Sequence, residues 1–263
     1  MGELPGPLFS IATVCLNAEA NLAETIESVL SQSFEDFEYV VVDGGSTDGS
    51  LDVIREHASR SGGRMRWISE ADDGLYHAMN KALDLAQGKF IEYLGADDLL
   101  APGALQAVSE AVERQPRPQI VCGATHVFGR RDAWDEPARR VVRRGMAQRA
   151  PSRHQSIFVC SESIRGAGGF RTRFRIAADY DLYLRLLEAG ASETLVDDTL
   201  SSFRLGGLSS TGAIRTARDY RDVRIAHGAN PIVEQLVMLK SAAATTAFAI
   251  WRQLTSRSRE VER

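Results

Sequence analysis

Three apolar, strand-like runs in the first hundred residues each end in carboxylates, and that recurrence defines the chemistry to look for. Phe37 to Val42 runs into Asp43, Arg64 to Ser69 into Glu70 with Asp72 and Asp73 beyond, and Lys89 to Leu94 through Gly95 and Ala96 into Asp97 and Asp98. An ionised carboxylate only accepts hydrogen bonds, so Asp43 suits the N–H and O–H groups of a base or ribose. Adjacent Asp97 and Asp98 suit a hard cation such as Mg2+ or Mn2+, which takes carboxylate, water and phosphate oxygens. Alone, an Asp-Asp pair more often starts a helix or faces water, and Asp43 would only open its glycine-rich turn. Matching acids on neighbouring runs make the set a candidate nucleotide–metal site.

The acids converge only if the runs are strands of one sheet. Helical patterns separate them, which predicts parallel strands joined by right-handed crossovers. Open α/β sheets bind their ligands outside the carboxyl ends of the strands. Leu8 to Cys15 reads as a buried first strand. Asn21 is expected to cap the next helix, with Glu24 three residues on as in a capping box and Leu22, Ile26, Val29 and Leu30 as its apolar stripe. A turn-rich loop, Gly44 to Ser50, leads into a helix over Leu51 to Arg60. Leu75, Met79, Leu83 and Ala86 mark a third helix, which Gly88 is expected to end in a left-handed conformation. Pro102 opens a fourth over Gly103 to Arg114.

Beyond Ile120 the alternation fades, with strands near Val121 to Phe128 and Ser156 to Cys160 and a helix over Tyr180 to Glu188. The fold class is therefore α/β: a Rossmann-like, mostly parallel sheet with helices on both faces and an irregular second half. One domain is expected over 1–228, its nucleotide-binding half at about 8–115 and its acceptor half at about 116–228. A helical extension follows over 229–263. Its apolar stretch from Ile232 to Trp251, with Lys240 inside and Arg252 after it, fits packing on the domain or a partner subunit, or a helix lying in a membrane interface.

Composition narrows the class. The 263 residues carry a formal charge of −4 with 44% hydrophobic and 25% charged residues, an ordinary globular balance with no nucleic-acid signal. The segment Arg130 to Arg149 concentrates seven arginines, which fits either a solvated face or a surface for phosphates and lipid headgroups. Cys15, Cys122 and Cys160 lack metal-ligand spacing and are odd in number, as expected of buried thiols in a reducing compartment. Met1 to Pro7 lacks the pattern of a signal peptide, and no run reaches the roughly 18 apolar residues of a spanning helix. A cytoplasmic location is expected. No Gly-x-Gly-x-x-Gly follows the first strand, which excludes a nicotinamide site, and no P-loop motif occurs.

With these residues in view, the chain resembles the family 2 glycosyltransferases. The resemblance rests on Thr13-Val14-Cys15-Leu16-Asn17, Ser28 to Ser33, Val41 to Ser50 and, as in bacterial polysaccharide-assembly members, Ser69 to Lys81. Gly95-Ala96-Asp97-Asp98 stands where that family has Asp-x-Asp. His154-Gln155-Ser156 and Ala178-Asp179-Tyr180-Asp181 match its later blocks, so the likeness runs over roughly residues 8 to 210.

The resemblance implies a GT-A fold, a nucleotide-diphosphate sugar donor, a divalent cation (Mn2+ or Mg2+), inversion at the anomeric carbon, and a sugar or lipid-linked sugar acceptor. Thr13, Asn17, Asp43, Asp72 and Asp98 would bind the donor, Asp97 the metal, and Asp179 would be the general base. His154 and Arg204 would serve the acceptor or phosphate side, Arg204 with Ser209 and Ser210 on a loop that meets the diphosphate. Two departures stand out: Gly95 replaces the first Asp of Asp-x-Asp, and Ala178 replaces a Glu beside the base. A sugar-phosphate nucleotidyltransferase and a non-catalytic sugar-nucleotide-binding module are the competing classes. The former expects a basic, Gly-rich loop after the first strand, where Leu16 to Asn21 stands.

Overall fold

A computed structural model describes residues 6–115, 119–129, 132–140, 152–206, 213–236 and 239–240. Strands β1 (Phe9–Cys15), β2 (Phe37–Asp43) and β4 (Phe90–Gly95) are almost continuously buried, as strands covered on both faces must be. With β3 (Met65–Ser69) they form a parallel group in the order β3-β2-β1-β4. The register sets Cys15 beside Asp43, Asp43 beside Ser69, and Val14 beside Gly95. Three of the sequence's acidic ends therefore open on one sheet edge. Past β4 the sheet continues through β8 (Ile157–Cys160), β6 (Ile120–Phe128), β9 (Glu193–Arg204) and β5 (Leu99–Leu100), with β7 (Ala133–Glu136) on β6. The β4–β8 and β8–β6 pairings are antiparallel, and β6–β9 is parallel.

One face packs Phe9, Ile11, Tyr39, Val41, Phe90 and Leu94 against Leu22, Ile26 and Val29 of α1 (Glu19–Leu30) and Leu105 and Val108 of α4 (Ala104–Arg114). From the other side α3 (Leu75–Leu85) covers β1 and β2, burying Tyr76, Met79 and Leu83. Short α5 (Ser161–Gly166) and α6 (Ala178–Glu188) complete this half of the molecule.

Two helix ends depart from the sequence reading. α1 starts at Glu19, not at an Asn21 cap, and Ala18 before it supplies no capping side chain. Its oxygens come from the next loop: Ala18 N donates to Ser50 Oγ at 2.8 Å and Glu19 N to Asp48 Oδ2 at 3.1 Å. Glu19 Oε2 in return accepts from Gly49 N at 3.0 Å, ahead of α2 (Ser50–Arg60), so the two helix starts cap each other across the edge. α3 likewise ends at Leu85 with Ala86 extended, without a left-handed Gly88. Gly88 is needed for space instead, because a Cβ there would lie 2.4 Å from the Ser10 nitrogen.

The chain forms two compact units, Met1–Leu205 and Gly206–Arg263. In the second, the nearly buried Arg224–Glu234 pair (2.6 Å) ties α7 (Ala213–Ala226) to the helical residues 231–236. Ile232, Val233, Leu236 and Leu239 stay exposed.

Glu92 is an uncommon core residue. It lies fully buried in β4, neither carboxyl oxygen hydrogen-bonded among the described residues, and burial, reinforced by the charge of Asp98, pushes its carboxyl well above the usual range. The folded chain keeps this proton where the unfolded chain releases it near pH ~4.3, so the stability it contributes is complete below that pH and lost as pH rises. Glu92→Gln, which never ionises, is expected to melt above the native protein by a margin that widens from about pH 4 to about pH 8. Thermal scans across that range check it, and a margin independent of pH would show that Glu92 is not the neutral group described.

Candidate active site

At the carboxyl edge, the loops after β1 and β2 are laced together. Asn17 has a left-handed backbone (φ 52°), a conformation Asn tolerates better than most residues. Its Oδ1 accepts from Thr47 N at 2.9 Å while its own N donates to Ser46 Oγ at 2.8 Å. Asp43 anchors the same loop from below. Fully buried, it accepts from Gly45 N (3.1 Å), Ser46 N (3.0 Å), Ser69 Oγ (2.7 Å) and Ser46 Oγ. Burial alone would raise its carboxyl, but these hydrogen bonds outweigh it and hold the group below the usual range.

Asp72 closes this corner. Its nearly buried carboxylate pairs with Lys81 at 2.7 Å, and Lys81 reaches Glu70 at 2.8 Å. These hydrogen bonds, that of Asp72 first, raise the Lys81 ammonium above its usual value. The other Asp72 oxygen faces Gly44, where a Cβ would sit 3.2 Å from it and 3.6 Å from Leu16 Cδ1. Leu16 is 62% exposed. Leu16, Gly44 and Asp72 thus come together at this corner, beside the loop that Asn17 holds.

The two aspartates after β4 divide their labour. Asp98 is buried, its oxygens taken by Gln155 Nε2 (2.7 Å) and Arg204 N (2.9 Å). Burial pushes it up to about 7, and the charge of Asp97 adds to the rise. Asp97 is half-buried, and among the described residues its carboxylate accepts no hydrogen bond. Gly95 has no room for the side chain that the family resemblance expects, since a Cβ would lie 2.5 Å from Asp98 Oδ2. No three His, Cys, Asp or Glu side chains among the described residues gather around a common point. The donor set thus fits a hard cation that takes one protein carboxylate and completes its shell with phosphate and water.

Asp179 stands in the first turn of α6. Its Oδ1 accepts from Tyr180 N at 2.8 Å and Tyr76 Oη at 3.0 Å, and its Oδ2 lies 3.8 Å from His154 Nδ1. His154 opens the 3-10 turn His154–Ser156 and is partly exposed. Burial holds its imidazole below the usual value, against the opposing pull of Asp179.

The sequence-derived candidates thus fall into groups. Asp97, His154 and Asp179 share one region, and Asn17 and Asp72 stand at the corner formed by the loops after β1, β2 and β3. Four candidates lie more deeply committed than a ligand-facing position suggests. Thr13 is wholly buried two residues short of the strand end, on the core face, and its Oγ1 accepts from Tyr39 Oη at 2.9 Å. Asp43 and Asp98 are inward-facing, their oxygens committed to the protein itself. Arg204 ends β9 rather than riding a loop, and its guanidinium reaches Asp97 O (3.0 Å), Glu24 Oε2 (2.5 Å) and the face of Phe128. Ser209, Ser210 and much of the Arg130 to Arg149 cluster lie outside the described residues. Tyr76, Lys81 and Gln155 were not singled out from sequence, although each lies inside a block that was.

Comparison with known proteins matches this geometry. The family described as glycosyl transferase family 2 matches residues 10–174. A Mycobacterium bovis protein named PGL/p-HBAD biosynthesis glycosyltransferase is 32% identical over 214 residues, 79% of this chain and 81% of that one. The putative glycosyltransferase EpsE of Bacillus subtilis is 33% identical over 192 residues, covering 70% and 68%. The O-antigen biosynthesis protein RfbC of Myxococcus xanthus is 30% identical over 213 residues, 78% of this chain but 16% of its own. Among solved structures, S. aureus TarS 1-349 in complex with UDP superposes with a TM-score of 0.65 at 15% identity, over 89% of this chain and 70% of that one. The mannosyltransferase PcManGT from Pyrobaculum calidifontis, in complex with GDP-Man and Mn2+, also gives 0.65, at 17% identity over 97% and 80%. With its GT-A fold and a family match over more than half of its length, the chain belongs to glycosyltransferase family 2.

Proposed function

We propose that the chain moves a glycosyl group from a nucleotide-diphosphate sugar to an acceptor hydroxyl, with inversion at the anomeric carbon. The observation that carries this reading is the position of His154. One imidazole lies 3.8 Å from Asp179 and within electrostatic reach of Asp97, so a carboxylate from each half stands near the same side chain. The UDP-GlcNAc complex of TarS and the GDP-Man complex of PcManGT support a nucleotide-sugar donor. Relatives named for PGL/p-HBAD and O-antigen biosynthesis support an acceptor in bacterial cell-surface polysaccharide assembly, a sugar either free or lipid-linked. The competing nucleotidyltransferase reading finds no basic glycine-rich loop in the Leu16–Ala18 connection. A non-catalytic binding module would have no use for an oriented Asp179.

In this reading the base of the nucleotide rests on Leu16 and Gly44, with Asn17 and Asp72 at its edge and Asp43 holding the loop rigid beneath. A divalent cation, Mn2+ or Mg2+, would be held by Asp97 and the donor phosphates, and when bound it offsets charge on the departing nucleoside diphosphate. A sugar hydroxyl is a poor nucleophile, so Asp179 takes its proton as the new bond forms. Asp97→Asn is expected to abolish the Mn2+-dependent part of donor affinity, because a neutral amide is a weaker ligand for a hard cation. Asp179→Asn should leave donor affinity intact and lower turnover roughly a hundredfold or more, the usual scale for a lost general base. Calorimetry with UDP-GlcNAc and GDP-mannose, with and without Mn2+, and turnover assays separate the two. Wild-type turnover in Asp179→Asn would reject the base assignment.

We further infer that the second unit rests peripherally on the inner face of the cell membrane. No helix among the described residues is long and apolar enough to cross a bilayer. Ile232, Val233 and Leu236 instead present exposed apolar side chains on the helical residues 231–236, and Leu239 is exposed as well. Residues 206–263 hold nine Lys or Arg against five Asp or Glu, in a chain that is acidic as a whole, and each basic group near an anionic surface contributes about 1 kcal/mol. Ile232→Glu with Leu236→Glu in the full chain is expected to abolish co-sedimentation with phosphatidylserine vesicles. Equal sedimentation of both forms, or loss of a dimer instead, would assign the stripe to a homodimer contact.

A further inference from the structure

The reading of Asp179 as the general base leaves open what aims it. Its Oδ1 takes one hydrogen bond from its own helix, Tyr180 N at 2.8 Å, and one from a residue 103 positions earlier, the Tyr76 hydroxyl at 3.0 Å. Tyr76 is 5% exposed and its ring stacks on Phe170 (5.5 Å between centroids, 28° between planes). One helical turn along α3, Asn80 grips the backbone of the same Phe170, accepting from its N at 2.8 Å and donating to its O at 2.9 Å. Gly169 allows this approach: its φ is +69° and a Cβ there would meet Asn80 Oδ1 at 2.6 Å. On the far side Arg185 donates to Ala167 O at 2.5 Å and Gly169 O at 2.7 Å and pairs with the fully buried Asp181 at 2.9 Å. The segment entering α6 is thus fixed to α3 before Tyr76 meets the carboxylate.

The Tyr76 hydroxyl has one hydrogen, and within its reach are the acceptors Ile176 O at 2.7 Å and Asp179 Oδ1 at 3.0 Å. An ionised carboxylate is the stronger acceptor, and a carboxylic acid protonated on its other oxygen is a weaker one. We propose that Tyr76 is the positioning residue of the base: it donates to Oδ1 while Asp179 is charged, leaving Oδ2 on the His154 side to receive the acceptor's proton. When that proton arrives, the acceptor oxygen bonds to the anomeric carbon and the bond from that carbon to the diphosphate oxygen breaks, its electron pair leaving with the nucleoside diphosphate. The phenol hydrogen then turns to the Ile176 carbonyl. His154 from the 3-10 turn and Tyr183 from α6 are the other titratable groups acting on Asp179, and neither donates a hydrogen bond to Oδ1.

Tyr76→Phe tests this without disturbing the stack on Phe170. In the full-length protein, release of UDP or GDP from UDP-glucose, UDP-GlcNAc and GDP-mannose is measured with water as acceptor, beside donor affinity by calorimetry. Losing a hydrogen bond to a charged group predicts turnover lowered by about tenfold or more, with donor affinity unchanged. A second readout needs no turnover: carboxyl 13C NMR of Asp-labelled protein, with the Asp179 signal assigned by its loss in Asp179→Asn. The chemical shift of that carboxyl should change in Tyr76→Phe, because the hydrogen bond to its Oδ1 is lost. An unchanged Asp179 carboxyl signal in Tyr76→Phe overturns the proposal, as does a fall in turnover explained wholly by weaker donor binding. Asp179→Asn with wild-type turnover would instead overturn the base reading itself, so the two failures are told apart.

Discussion

The register of the four parallel strands is the constraint on which the site depends. Cys15, Asp43 and Ser69 lie side by side across β1, β2 and β3, with Gly95 beside Val14. A slip of one residue in any strand would turn its side chains to the opposite face. Asp43 would leave its buried hydrogen-bond shell, and the loops that it, Asn17 and Asp48 hold together would separate. The apolar core fixes this register, because Phe9, Ile11, Tyr39, Val41, Phe90 and Leu94 must all face α1 and α4. Packing thereby sets where polar chemistry begins.

The second half of the first unit brings in the remaining groups through a few long-range polar contacts. Gln155 and Arg204 both bond to Asp98, so one buried carboxyl joins the Asp97 turn to the 3-10 turn bearing His154 and to the end of β9. Breaking one partner of such a buried group leaves a desolvated polar atom, which costs more than the bond itself contributes. Of the two adjacent aspartates, the hidden one holds the turn together and the half-exposed one is left to act outward. Gly95 belongs to the same solution, since the space its side chain would need is filled by Asp98.

Much of this was legible in the sequence. Period and burial identify the parallel strands and the helices between them, and the acids at their ends mark the correct edge. What could not be read were choices made by partners far along the chain. The local pattern Asn21 to Glu24 fits a capping box, yet Asp48 and Ser50 supply the caps from another loop. Thr13 is polar and close to a strand end, but alternation turns it inward to Tyr39. Arg204 appeared to lie in a loop because β9 runs on to meet Asp98. The division between Asp97 and Asp98 depends on burial alone, which two identical neighbouring letters do not reveal.

The reciprocal capping of α1 and α2 has a consequence for how the site handles negative charge. Exposed amides at a helix start carry the positive end of the helix dipole, and many nucleotide folds aim that end at a phosphate. Here Asp48 and Glu19 occupy both helix starts beside the sheet edge. Two internal carboxylates already neutralise the dipoles that a diphosphate would otherwise use. Under the proposed reading, the diphosphate's charge would then fall to a cation bound with the donor rather than to a built-in anion hole.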